Sequence, residues 1–343
     1  MLYLCFCPGL TKKTKLLFTS SNSSYNECVR NHSSSKMFSS LLQSNECEQD
    51  CEGQDLRNQN VILDASATHT FKSCSWKDCS GTKGPAISFQ SKTGSSLTVD
   101  KCSFDSCTST SSLRQDGGGA INAYNVKAVS IISSLFHSCK CTSTQKSGTG
   151  NNRSGGGMLL HSVTETPLVK MCMFISCEAL DDAGGLGIFS CGSNINIFAV
   201  QDSQFISCYC NDSSGAFEFQ SSTCKVCSSC LYCKCSSKSG GASFIRFGTL
   251  ASLAAISFSL YKDNESNIGK DLYFDSATKG VIFHSFTTAT DSGRVRFTTS
   301  SSAPDDWLPQ GSIFLANSRS DGGYDNIDQS EYAWLDMIIF RIS

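Results

Sequence analysis

The chain has 343 residues, enough to bury a large hydrophobic core. Its 28 basic residues nearly balance 30 acidic ones, so the formal net charge is −2, and charged residues make up only 17%. This composition offers no basic face for nucleic acid, and no run of eighteen or more apolar residues predicts a membrane span.

The N-terminal region, residues 1–60, lacks any repeat and is predicted to form a cap or an irregular segment. The chain begins with an apolar stretch, 1–7, but this stretch is short and lysines follow it rather than precede it. We therefore expect no signal peptide there. The first predicted regular strand is Val61-Ile62-Leu63.

Between residues 61 and 275 a signature returns six or seven times: an aromatic residue, a cysteine three positions later, then a glycine step. The predicted anchor positions are Trp76, Phe104, Phe136, Phe174, Phe205, Cys230 in place of an aromatic residue, and Tyr261. Their spacings are 28, 32, 38, 31, 25 and 31 residues. Because an inserted residue would rotate a helix but only lengthens a turn, this variation favours short strands joined by turns.

Two further positions recur with the anchors. The predicted turn position is occupied by Cys79, Cys107, Cys139, Cys177, Cys208, Cys233 and, in the last copy, Asn264. The glycine pairs are Gly118-Gly119, Gly156-Gly157, Gly184-Gly185 and Gly240-Gly241. We expect glycine there because φ is positive or because coils approach closely.

These features predict an all-β fold in which short strands stack as a parallel β-helix. Segments such as 95–99 and 128–132 alternate apolar and polar residues, which is typical of half-buried strands. Stacked coils place equivalent residues about 4.8 Å apart, so the aromatic residues are expected to form a ladder in the lumen. Edge strands at both ends then require caps, and residues 276–343 are predicted to supply C-terminal strands and one cap.

The 21 cysteines leave three interpretations open. Free buried thiols would act as small hydrophobic side chains. Several disulfides would indicate a secreted protein, although directly stacked Cβ atoms lie farther apart than a disulfide prefers. Cys224-x2-Cys227-x2-Cys230-x2-Cys233-x-Cys235 contains zinc-like half-sites, but all of them fall within one repeat.

The sequence contains both glycosylation sequons and acidic residues that bear on function. Of five Asn-x-Ser sequons, at Asn22, Asn31, Asn152, Asn211 and Asn264, Asn152 and Asn211 fall in predicted loops and are the candidate glycosylation sites. A polysaccharide-cleaving β-helix needs carboxylates on adjacent coils of one face. The strongest acidic pair, Asp181-Asp182, is predicted to lie in a solvated turn, and the histidines are scattered. We therefore predict no catalytic residue, no cofactor and no metal.

The motifs Gly118-Gly119-Ala120-Ile121 and Tyr261-Lys262-Asp263-Asn264 resemble the repeats of polymorphic outer-membrane adhesins. The cysteine-bearing form is similar to the large families of β-helix surface proteins in trichomonad protists. The resemblance covers roughly residues 61–275 and departs from the pattern at Gly84-Pro85, Ser214-Gly215 and Cys230. It implies a right-handed, pectin-lyase-like β-helix in an extracellular or surface protein that adheres to a host.

The sequence thus favours a non-enzymatic, adhesin-like binding module, secreted or at the cell surface. Its expected partners are a host-surface protein or a carbohydrate, contacted through polar ladders and loops, with 142–154 as the first candidate loop. The alternatives are a polysaccharide-active lyase or glycosidase and a purely structural solenoid.

Overall fold

The computed structural model describes the chain over residues 61–63, 68–110, 117–142, 154–192, 198–221, 225–247, 254–257, 259–267, 269–274, 280–284, 295–297, 313–318 and 324–325. All regular secondary structure in these residues is β-strand. Each coil pairs in parallel with the next, so the chain is a parallel β-solenoid and the predicted fold class is confirmed. The right-handed winding stays a prediction. Residues 1–60, the predicted N-terminal region, and residues 143–153, most of the 142–154 loop, lie outside the described residues.

The aromatic sheet contains one three-residue strand from each of seven coils. Its strands are Ser75–Lys77, Ser103–Asp105, Leu135–His137, Met173–Ile175, Gln204–Ile206, Leu231–Cys233 and Leu260–Lys262. The central residue of each strand is aromatic and points into the lumen, where it is at most 2% exposed. Because alternate side chains of a strand face opposite ways, the flanking residues point away from the lumen.

The central residues form a continuous aromatic stack. Its members are Trp76, Phe104, Phe136, Phe174, Phe205, Tyr232 and Tyr261. Successive ring centroids are 4.5–5.1 Å apart, with interplanar angles of 3–13°. The spacing equals one strand separation, since each coil contributes one ring directly above the last.

One predicted repeat is out of register. The repeat spacing predicts Cys230 in the aromatic position and Cys233 three residues later, whereas Tyr232 pairs with Phe205 and Tyr261. The thiol that follows Tyr232 by three residues is Cys235. The density of cysteines caused the error, because a C-x2-C step at the wrong place imitated the repeat spacing.

The other strands form a short sheet, a two-stranded pair and a long sheet. The short sheet contains Ser80–Gly81, Thr108–Ser109, Lys140–Cys141, Glu178–Ala179 and Tyr209–Cys210. The pair is Gly117–Gly118 with Ser154–Gly155. The long sheet contains Val61–Leu63, Thr68–Lys72, Ile87–Asp100, Ile121–Ile132, Met158–His161, Leu168–Lys170, Leu186–Phe189, Val200–Gln201, Phe217–Ser221, Lys225–Ser228, Ser243–Phe247, Ala254–Ser257, Leu272–Phe274, Gly280–His284, Val295–Phe297, Ile313–Ser318 and Tyr324–Asp325.

Most coils contribute two strands to the long sheet, which therefore has two columns of stacked strands. Ile87–Asp100 and Ile121–Ile132 are each one long strand that runs through both columns, whereas later coils have a separate strand in each column. Ile313–Ser318 pairs antiparallel with Gly280–His284, so parallel stacking ends in the C-terminal region.

Non-glycine residues with positive φ make the corners on both sides of the aromatic sheet. Those before it are Ser73, Lys101, Ser133, Met171, Asp202 and Ser229, and those after it are Asp78, Ser106, Ser138, Ser176, Ser207, Lys234 and Asp263. Their φ values are 49–56°. The left-handed conformation is therefore a repeating structural feature of the coil, although only glycine adopts it without steric cost.

The glycine step serves mainly close approach between coils. A Cβ on Gly119 would overlap the carbonyl oxygen of Gly156, and one on Gly156 would overlap that of Gly184. Gly240 differs because its φ is +72°. Of the two expected roles for these glycines, contact with the next coil is thus the common one.

Candidate functional site

The predicted turn position forms a ladder of thiols inside the solenoid. This thiol ladder contains Cys79, Cys107, Cys139, Cys177, Cys208, Cys235 and Asn264, all buried. The Sγ atoms of Cys139 and Cys177 donate hydrogen bonds to the carbonyl oxygens of Phe104 and Phe136, one coil earlier, both at 3.5 Å. Each of these bonds therefore links the turn of one coil to the aromatic strand of the coil before it.

Asn264 makes the same connection with an amide. Its Nδ2 donates to the carbonyl oxygen of Tyr232 at 3.2 Å and to Oδ1 of Asp271 at 2.9 Å. Its Oδ1 accepts the backbone N–H of Cys235 at 2.9 Å. Cysteine in the earlier coils thus replaces asparagine in one bond to the preceding coil.

The described cysteines are all buried in the solenoid. Fourteen are free and buried, as the free-thiol interpretation expects, and Cys74 is disulfide-bonded. Burial raises the pKa of the Cys139, Cys177 and Cys235 thiols well above the ordinary value, which keeps these groups protonated and unreactive at neutral pH.

The zinc interpretation finds no geometric support in the same part of the chain. Cys227, Cys230, Cys233 and Cys235 are all buried and free. Within the residues that the structure describes, no three His, Cys, Asp or Glu side chains are grouped so that they could hold a metal ion. Cys224 lies outside them.

The strongest carboxylate pair has a structural role. Asp182 accepts the backbone N–H of Ser154 at 3.0 Å through Oδ2, and Ser154 Oγ accepts the backbone N–H of Asp182 at 3.0 Å. This reciprocal arrangement joins two loops of neighbouring coils, and it satisfies the hydrogen bonds that the loop backbone requires.

A charged ladder crosses the outer face of the aromatic sheet. Asp105 Oδ1 lies 2.8 Å from Nδ1 of His137, and Asp105 Oδ2 lies 3.7 Å from Nζ of Lys77. Partial burial raises the pKa of Asp105, but the contact with His137, helped by Ser106 and Lys77, lowers it further than burial raises it. Ser138 Oγ is 3.4 Å from the other ring nitrogen, giving an Asp–His–Ser order.

We interpret that order as a surface contact rather than a catalytic triad. His137 is 48% exposed, and a triad relies on a partly enclosed site in which charge stabilisation is strong. The positive φ of Ser138 recurs at Ser106 and Ser176, whose preceding residues are not histidine. The geometry of Ser138 therefore belongs to the corner of the coil.

An open groove on the outside of the coils that contain Tyr209, Ser236 and Glu265 is the candidate binding site. It has a volume of about 930 Å³, and its lining includes Tyr209, Ser236, Lys238, Asp263, Glu265 and Lys270. Tyr209 pairs with Ser236, and Ser236 pairs with Glu265, so the groove crosses three consecutive coils. Its two lysines balance its two carboxylates.

The repeat pattern of the sequence does not predict this groove. Its walls are turn residues of three different coils, and their proximity depends on the lengths of the intervening loops. The exposed Tyr209 was the available signal, because an aromatic residue follows Cys208 directly at a position where the neighbouring coils carry polar or charged residues, as in Lys140 and Glu178.

The asparagines of the sequons differ in their exposure to solvent. Asn211 is exposed at the rim of the groove, and Asn152 lies outside the described residues. Asn264, the third sequon within the solenoid, is buried in the thiol ladder.

No protein-family model matches the sequence, and searches of curated proteins and of solved structures found no match. Over the part of the chain that the structure describes, no helix has the length and hydropathy needed to cross a membrane.

Proposed function

We propose that the protein is a non-enzymatic, adhesin-like binding module that recognises neutral oligosaccharides in the groove beside Tyr209. The observation that carries this proposal is the open polar groove built from three stacked coils. The proposal includes the surface or secreted location, the right-handed winding and the relationship to polymorphic outer-membrane and trichomonad repeat proteins that the sequence motifs imply.

The rigid scaffold supports this function. Backbone hydrogen bonds join each wall segment of the groove to the coil before it, as in the Ser236 N–H to Cys208 O bond and the Glu265 N–H to Cys235 O bond, each 3.0 Å long. Wall side chains held on such a frame lose little freedom when a ligand binds, which favours affinity.

The charges in the groove favour a neutral ligand. Lys238 and Lys270 supply donors, and Asp263 and Glu265 supply acceptors, with no net excess of either sign. A polyanion such as a polyuronate or nucleic acid would meet two carboxylates in the site and gain little. Sugar hydroxyl groups both donate and accept, so they can satisfy both kinds of wall residue.

Titration of a panel of neutral oligosaccharides against the full chain tests the proposal. Glu265→Ala and Asn267→Ala remove exposed side chains of the groove, so the fold should be preserved. A hydrogen bond to a charged group contributes about 1.5–3 kcal/mol, so Glu265→Ala should weaken binding about tenfold or more.

Glu165→Ala is the matched control. Glu165 is 54% exposed and contacts Lys127 at 3.8 Å, away from the groove. Binding that is unchanged by both glutamate substitutions would contradict the groove as the site. The absence of binding to any neutral oligosaccharide, combined with cleavage of a polyuronate, would favour the enzyme alternative, and inertness towards both would favour a structural solenoid.

A further inference from the structure

The ring of Tyr209 is available for contact with a group outside the coil. Tyr209 is 41% exposed, and it is the one large hydrophobic side chain classed as exposed among the residues whose burial the structure describes. It begins the last strand of the short sheet, Tyr209–Cys210. A tyrosine presents an apolar ring together with a polar hydroxyl, so a ring exposed on an ordered strand can pack against another group.

The side chain beside that ring belongs to a glycosylation sequon. Tyr209 and Asn211 lie on the same outward side of the chain because Cys210 between them is buried. Tyr209 Oη donates a hydrogen bond to Asn211 Oδ1 at 3.3 Å. Asn211-Asp212-Ser213 is an Asn-x-Ser acceptor, and Asn211 itself is exposed.

We propose that Asn211 carries an N-linked glycan whose first sugar packs against the ring of Tyr209. This inference rests on the proposed function only in that it requires passage through a secretory pathway. In the transfer step, Asn211 Nδ2 attacks C1 of a lipid-pyrophosphate-linked oligosaccharide. The Nδ2–C1 bond forms, the bond from C1 to the pyrophosphate oxygen breaks, and the amide proton leaves as the lipid pyrophosphate is released.

The contact with Tyr209 follows from position and chemistry. A sugar on Asn211 begins two residues from the ring, on the same side of the strand. The face of an aromatic ring is electron-rich and attracts the weakly positive C–H groups of a pyranose. The ring loses exposed apolar surface, and the first sugar is held at the rim of the groove, where it restricts which ligands enter.

Asn264 provides an internal negative control. It also stands in an Asn-x-Ser sequon, Asn264-Glu265-Ser266, but it is only 1% exposed. Its Nδ2 donates to Tyr232 O and to Asp271 Oδ1, so a sugar on that nitrogen would remove the hydrogen of at least one of these bonds and would not fit inside the coil. Correctly folded molecules should carry no glycan there.

Site mapping of the full chain tests the first part. The chain is secreted from a eukaryotic host behind a cleavable leader, folded protein is isolated, and glycopeptides are identified before and after treatment with an amidase that converts glycosylated asparagine to aspartate. We expect glycan at Asn211 and none at Asn264. Ser213→Ala, which retains the Asn211 side chain but destroys the sequon, should abolish the modification. An unoccupied Asn211, or an occupied Asn264 in folded protein, would overturn the proposal.

The second part is tested by the melting temperature before and after enzymatic removal of the glycan. Deglycosylation should lower the melting temperature of the wild type by about 2–4 °C. Tyr209→Phe retains the ring and should show most of that shift, whereas Tyr209→Ala should lose it. An equal shift in Tyr209→Ala would refute the packing. Because neither readout measures oligosaccharide binding, failure here and failure of the proposed function are distinguishable.

Discussion

Replacing Phe136 with alanine tests whether the aromatic stack holds the coils together. The ring is fully buried, and its centroid lies 4.7 Å from that of Phe104 and 4.6 Å from that of Phe174. Truncating a buried phenylalanine costs about 3–5 kcal/mol, because burial is lost and a cavity remains. Phe136 also loses two stacked neighbours, each worth about 0.5–1.5 kcal/mol beyond burial. We therefore expect the upper part of that range, about 4–5 kcal/mol.

The assay is equilibrium unfolding in urea followed by the β-sheet signal in circular dichroism. Because each coil contacts only its neighbours, part of the loss can appear as local opening. Amide hydrogen exchange in 135–137, compared with that in 75–77, separates local from global opening.

Two variants make the result interpretable. Phe136→Leu retains most of the buried volume but removes the stacking with both neighbouring rings, and should cost about 1–3 kcal/mol. His137→Ala alters the next side chain, which is 48% exposed, and should cost no more than about 1 kcal/mol. If Phe136→Ala were no more destabilising than His137→Ala, the reasoning from the stack would be refuted.

Three further predictions concern the thiol ladder and its neighbours. Asn264→Ala should destabilise the protein by about 2–3 kcal/mol, because the Cys235 N–H and the Asp271 carboxylate lose a buried partner, and Asn264→Cys should recover part of the loss in urea unfolding. A thiol reagent should not react with the fourteen free cysteines in the native protein and should titrate them after denaturation; rapid reaction of several in native protein would contradict their burial. Burial raises the pKa of Cys172 to about 12, so the folded state keeps a proton that the unfolded state releases above pH 9. This thiol alone should therefore lower the stability by about 1.4 kcal/mol per pH unit between pH 9 and about pH 12. Cys172→Ser should reduce the slope by that amount, and an unchanged slope would show that Cys172 ionises normally.

The sequence predicts the solenoid well because its strongest signal is periodic. The inward positions of a coil must be apolar and the glycine step must be small, so both recur whatever the loop length, and Phe104, Phe136, Phe174 and Phe205 could be aligned without a structure. The prediction of the aromatic position failed in the coil of Tyr232, because cysteine occupies several positions of that coil and the repeat could be aligned on the wrong one.

The remaining features depend on contacts that no single repeat contains. The groove beside Tyr209 requires three loops of particular lengths to meet. The sequon at Asn264 looks like the one at Asn211 in sequence, and only the buried hydrogen bonds of Asn264 separate them. The corner positions of Ser138 and its equivalents are occupied by serine, lysine, aspartate and even Met171, so residue identity alone does not indicate positive φ.

The unequal spacing of the anchors has a consequence for how such a chain can change. In the coils from Trp76 to Phe205 the same number of residues separates the aromatic strand from the strand of the short sheet. The extra residues of the longer coils lie after the strand of the short sheet, or between the two strands that a coil contributes to the long sheet. Each coil is then a unit that a change in the gene can add or remove as a whole. Duplication or deletion of a whole coil keeps every ladder in register, while the two loop edges accumulate variation without disturbing it. A lineage can thus alter the length of the rod and the chemistry along its edges by separate mutations.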